Sequence, residues 1–157
     1  MAYAIREAEQ AAKRKEVPVG AVIVRENRII GRGYNQIESL QDPTAHAEMI
    51  AITAAATHLS SRRLEGCVLY VTLEPCAMCA GAIVQARIPL LVFGAHDPKA
   101  GACGTLYNIV QDDRLNHRVD LVGGIEEARC GGMLKDFFAG VRGNSVGKPV
   151  SRPPEED

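Results

Sequence analysis

The sequence predicts an α/β fold of three layers, α-β-α, with a five-stranded mixed sheet flanked by helices. Three observations predict it. Segments of helical period alternate with short apolar runs. The first two runs read as a hairpin, whereas the later ones alternate with helices. The chain has 157 residues, enough for one domain with a full core and with little room for a second. Pattern alone does not fix the order of strands in the sheet.

Taken in order, Ala2 to Lys15 places Ala4, Ile5, Ala8, Ala11 and Ala12 at helical spacing, and Pro18 with Gly20 ends that helix. Gly20 to Val24 is an apolar run, Glu26-Asn27-Arg28 a turn, and Ile29 resumes an extended pattern. Asp42-Pro43-Thr44 predicts a helix start, with Asp as N-cap and Pro at the first helical position, and the helix runs to about His58. Cys67 to Leu73 is a strand, Pro75 opens a second Ala-rich helix, and Leu90 to Ala95 is another strand. Asp97 to Gly104, dense in Gly, Pro, Lys and Asp, reads as a functional loop. His117 to Val122 predicts a short strand and Ile125 to about Arg142 a final amphipathic helix. Residues 1–142 therefore form the expected domain, and the Gly, Pro, Ser and charge of 143–157 a flexible tail.

Composition is that of an ordinary globular protein, 46% hydrophobic and 24% charged. The apolar stretches, such as Val68 to Leu73, suit buried strands and are far too short to cross a bilayer. Charges interrupt the N-terminus where a secretion signal needs an apolar block, so a cytoplasmic location is expected. A net charge of −1 counts mildly against a nucleic-acid binder. Lys13-Arg14-Lys15 and Arg62-Arg63 read as solvated charges sooner than as an RNA path.

The chemistry concentrates in Thr44-Ala45-His46-Ala47-Glu48 and Thr72-Leu73-Glu74-Pro75-Cys76-Ala77-Met78-Cys79. Cys76 and Cys79 stand three apart where a helix begins, so their sulfurs share a face, and a helix N-terminus stabilises thiolates. Alone, the pair reads equally as a buried or redox couple, and His46 alone as a helix-start histidine bonded to a carbonyl. Their company changes the reading. Two thiolates and an imidazole make a three-ligand zinc site whose fourth position is left for water. Glu48, two residues from His46, is misplaced by one position for a capping box with Thr44, and suits the proton carrier beside that water.

These two motifs resemble those of the cytidine-deaminase-like zinc hydrolases. Within them, the chain is most similar to the bacterial tRNA-specific adenosine deaminases, from about Met1 to Arg142. Glu16-Val-Pro-Val-Gly-Ala-Val-Ile-Val24, Asp42 to Glu48, Leu69 to Cys76, Phe93 to Gly101 and Asn116 to Val119 carry the likeness. The resemblance implies one Zn²⁺ per subunit on His46, Cys76 and Cys79, with Glu48 as proton shuttle. It further implies that Asn35, Ala95 and Asp97 touch the substrate, residues that otherwise read as a turn-forming Asn and loop positions. The implied reaction is hydrolytic deamination of adenosine to inosine at the first anticodon position of tRNA. The implied partners are an anticodon stem-loop and a second copy of the chain in a homodimer, with no membrane. One departure is that Phe137-Phe138 is followed by Ala-Gly-Val-Arg142 and not by several basic residues.

Two other readings stand beside this one. The same zinc site would serve a deaminase of free bases, nucleosides or nucleotides, of guanine or cytosine type. A non-catalytic structural zinc domain would need a fourth ligand from Cys67, Cys103, Cys130, His96 or His117.

Overall fold

The computed structural model describes residues 1–145. Five helices, α1 (Ala2–Lys13), α2 (Ile37–Leu40), α3 (Ala47–Leu59), α4 (Ala77–Gln85) and α5 (Glu127–Ser145), surround five strands. The strands are β1 (Gly20–Arg25), β2 (Arg28–Tyr34), β3 (Cys67–Leu73), β4 (Leu90–Ala95) and β5 (Asp120–Val122). They form one sheet in the order β2-β1-β3-β4-β5. The first three are antiparallel neighbours and the last three parallel, giving the predicted mixed sheet.

Glu26 and Asn27 both take positive φ, 50° and 60°, the geometry of a two-residue hairpin turn whose twist matches the strands it joins. Arg28 is already paired with Arg25, so the turn is one residue shorter than expected. The β3–β4 crossover is carried by α4, as parallel pairing requires.

Strand alternation sends residues to two separate layers. Ala21, Ile23, Leu69, Val71, Leu91 and Phe93 join Ala47, Ala51 and Ala55 of α3 and Ala80, Ile83 and Val84 of α4 in the main core. On the opposite face, Ile5 of α1, Ala95 and Cys130 of α5 make a smaller cluster. Both helical layers approach the sheet over glycine. A Cβ on Gly20 would come 2.1 Å from the Ala4 carbonyl oxygen, and one on Gly33 would come 2.3 Å from that of Ala47. The alanine spacing of α3 completes the fit, so this helix lies flush on β2.

Other elements differ from expectation as well. The four-residue α2 was not foreseen; it is held by Glu16, whose carboxylate accepts the Glu38 N–H, the Ser39 N–H and the Ser39 hydroxyl. β5 starts at Asp120, three residues late, because His117 turns aside to bond the Ile88 carbonyl at 2.7 Å through Nε2. α5 runs on to Ser145, past Arg142 and into the segment expected as a tail; residues 146–157 of that tail lie outside the described residues.

Candidate metal centre

The Asp42 N-cap is corrected by the structure. Asp42 Oδ1 accepts the Thr44 N–H at 2.8 Å and its hydroxyl at 2.7 Å, closing a local turn that keeps the next residues out of the helix. α3 instead begins at Ala47, with His46 as N-cap in extended conformation (φ −75°, ψ 152°). The second helix likewise begins at Ala77, two residues after Pro75, with Cys76 as N-cap (φ −73°, ψ 176°). Neither N-cap side chain makes a capping hydrogen bond. Instead both converge with Cys79 in the first turn of α4.

The donor atoms of His46, Cys76 and Cys79 all lie within 4.8 Å of one another. His46 Nδ1 stands 3.7 Å from Cys76 Sγ and 3.6 Å from Cys79 Sγ. A tetrahedral zinc, with bonds of roughly 2.3 Å to sulfur and about 2.0 Å to nitrogen, holds such donors about 3.5 Å apart. The chemistry and spacing of this donor set fit that ion. His46 and Cys76 are partly exposed while Cys79 is buried, so the cluster opens towards solvent on one side. No further His, Cys, Asp or Glu joins the group among the described residues. Cys103 turns its thiol to the Pro75 carbonyl at 3.9 Å.

Hydrogen bonds from Cys79 and His46 lower the Cys76 thiol to about 3, the range of a permanent thiolate. The same contact with Cys76, together with burial, pushes Cys79 well up. The two sulfurs thus share one proton, which a dication would displace. The Cys76 hydrogen bond raises His46 against the opposing effect of burial. Glu48, in the first turn of α3, is 4% exposed. Burial pushes its carboxyl up despite a hydrogen bond with Cys79, leaving a better base than a surface glutamate.

Asn35 lies between β2 and α2, and its Oδ1 accepts the Ala47 N–H at 2.9 Å. The side chain caps α3 from outside, a helix-start role the sequence had suggested for Asp42. Ala95 is buried at the end of β4, opposite Leu73, and its carbonyl accepts the Glu74 N–H at 2.8 Å. Asp97 is half-buried; its Oδ1 accepts the Lys99 and Ala100 amides. Asp97 and Ala95 also line a cleft of about 560 Å³ together with Lys99, Lys135, Phe138 and Arg142. Two further carboxylates, Glu16 and Glu74, are buried without any local sequence signal. Their donors lie more than twenty residues away, so no local pattern could reveal them.

The family follows from comparison with known proteins. The model of the MafB19-like deaminase family matches residues 1–142. The chain is 51% identical to the tRNA-specific adenosine deaminase of Bacillus subtilis (strain 168), over 90% of this chain and 88% of that one. The chain belongs to the tRNA-specific adenosine deaminase family. The member from Aquifex aeolicus (strain VF5) is 48% identical over 91% of this chain and 94% of its own. A solved structure from a study of A-to-I editing by tRNA:A34 deaminases superposes with a TM-score of 0.80 at 44% identity, covering 83% of this chain and 95% of that one. The guanine deaminase of Bacillus subtilis is more distant, with a TM-score of 0.60 at 28% identity over 96% of each chain. Against the tRNA:A34 deaminase structure the three-layer fold stands as predicted.

Proposed function

We propose that this chain hydrolyses adenosine to inosine at the first anticodon position of tRNA, with one zinc ion held by His46, Cys76 and Cys79. The observation that carries this is the convergence of two sulfurs and an imidazole from two helix N-termini, with a buried acid in the first turn of the helix that the histidine caps. Zinc, when bound there, supplies a water whose pKa falls to about 7. Glu48 takes a proton from the attacking water and hands it to N1 of the adenine ring as C6 gains oxygen. It then relays the second proton to the exocyclic nitrogen, which departs as ammonia. The raised affinity of Glu48 for protons suits both transfers.

An unpaired loop base reaches such a centre at little cost, whereas a stacked one must first be extruded. The cleft beside Asp97 supports a polyanionic substrate, because Lys99, Lys135 and Arg142 line it although the chain as a whole is weakly acidic. Asn35, Ala95 and Asp97 are proposed to contact the target nucleotide. The apolar groove of about 750 Å³ between α3 and α4, lined by Ile52, Ala56, Ala82 and Ala86, supports a homodimer. No helix among the described residues is long and apolar enough to cross a membrane, and we place the enzyme in the cytoplasm with its tRNA.

The test is to incubate zinc-loaded protein with tRNA and with an isolated anticodon stem-loop, then sequence for A read as G at the first anticodon position. Guanine, cytosine and free adenosine run in parallel. Turnover confined to a free base or nucleoside would overturn the tRNA reading while leaving a deaminase. Activity on RNA should fall steeply with added salt as phosphate contacts are screened.

A further inference from the structure

Glu74 sits between the end of β3 and Pro75-Cys76, two residues before a metal donor, and is 2% exposed. Its oxygens accept four hydrogen bonds from the 97–105 loop. Oε1 takes the Asp97 N–H at 3.2 Å and the Thr105 hydroxyl; Oε2 takes the Cys103 and Thr105 amides, each at 3.1 Å. Three of these donors are backbone amides and the fourth a neutral hydroxyl, so the charge is met by dipoles alone. Burying a carboxylate this way is costly unless every lone pair is used. Two further bonds run alongside: the Glu74 amide to Ala95 and the Ala102 amide to the Pro75 carbonyl, at 2.8 and 2.9 Å. The loop passes so close that a Cβ on Gly101 would lie 2.3 Å from Glu74 Oε2.

A neutral amide in place of this carboxylate offers one acceptor oxygen where two are needed, and its NH₂ would face amide donors. The geometry therefore asks specifically for an anion. We propose that Glu74 is a positioning residue, its carboxylate locking the 97–105 loop to the metal-binding end of α4 so that the base-facing wall and the metal donors move as one body. The proposal rests on the tRNA-deaminase reading for its kinetic consequence, and on the loop geometry alone for its structural one. Loss of the lock lets Asp97 drift relative to Cys76 while leaving His46, Cys76, Cys79 and Glu48 in place.

The experiment compares wild type, Glu74→Gln, Thr105→Val and Thr105→Ser, each with zinc content, thermal midpoint, amide hydrogen exchange, and kcat and KM on an anticodon stem-loop. Thr105 is exposed, so both of its variants fold even where Glu74→Gln does not. Per bound zinc, kcat is expected to fall about tenfold in Thr105→Val and about a hundredfold in Glu74→Gln, the scale of a 1 Å misplacement. KM should stay within about threefold and Thr105→Ser should behave as wild type. Exchange at the Asp97, Cys103 and Thr105 amides should quicken while the β1 and β3 amides hold. Unchanged loop exchange, an unchanged kcat per zinc, a change confined to KM, or a loss that merely tracks zinc or thermal stability overturns the proposal. Should wild type itself leave the stem-loop untouched, the substrate reading fails and the loop exchange still decides the lock.

Discussion

Gly33→Ala tests how closely the geometry of the metal centre depends on the sheet beneath it. Gly33 lies under the first turn of α3, and an added Cβ would meet the Ala47 carbonyl oxygen at 2.3 Å and the Ala51 nitrogen at 2.8 Å. Ordinary contact begins near 3.4 Å, so the N-terminal end of α3 must lift by about 1 Å or β2 must recede. Overpacking of this kind costs about 1–3 kcal/mol, a fall in Tm of roughly 3 to 10 °C for a chain of this size. Ala47 sits between His46 and Glu48, so the same displacement moves a metal donor and the proton carrier relative to Cys76 and Cys79. Misplacement by about 1 Å is expected to lower kcat by about a hundredfold. Gly31→Ala is the control: its Cβ would meet the Ala51 oxygen at 2.5 Å, a turn farther from the donors. It should cost similar stability and much less activity. The assay is kcat per bound zinc on a stem-loop, beside calorimetry for both variants. Equal catalytic losses in the two variants, or a wild-type rate in Gly33→Ala at full zinc occupancy, would refute the reasoning.

Glu48→Ala should keep fold and zinc yet lose about 10²- to 10⁴-fold or more in turnover, measured at saturating substrate; a near-normal rate would remove Glu48 from the proton path. Zinc affinity should strengthen as pH rises, because Cys79 holds its proton tightly and must release it on binding. Chelator competition across pH and proton release by calorimetry in two buffers check this, and a pH-independent affinity would contradict it. Burial alone would raise Glu16, but its bonds from Ser39 and Glu38 outweigh that and hold the carboxyl below 4.5. Its stabilising effect is thus present above the unfolded value and lost as pH falls through the lower folded one. The Tm gap between wild type and Glu16→Gln should accordingly narrow on acidification below about pH 4.5. Asn35→Ala should lose the cap on Ala47, costing about 0.5–2 kcal/mol in urea unfolding. Asn35→Asp keeps the acceptor and should be near wild type in stability, so a remaining loss of activity there isolates contact with the substrate.

Much of the molecule was legible before any coordinates, and for local reasons. The short apolar runs Gly20 to Val24 and Cys67 to Leu73, bounded by turn residues, mark strands buried on both faces. The Ala-rich run before His58 marks a helix because its small side chains recur every fourth residue. His46, Cys76 and Cys79 were readable because metal binding restricts residue type, and Glu48 because it travels with them. The helix starts were misplaced by two to four residues for an equally physical reason. Asp42 and Pro43 make a good turn as well as a good cap, and local chemistry does not choose between the two.

What the chain by itself determined is the set of elements, the donor chemistry of the metal site and, through the motifs, the family. Only the folded structure decided that His46 and Cys76 are both N-caps aimed at one point, that Asn35 closes α3 from a neighbouring segment, and that Glu16 and Glu74 organise loops more than twenty residues away. Such contacts join parts of the chain through space, and the energy of a buried carboxylate depends on whichever donors the fold brings to it, which no local pattern of residues encodes.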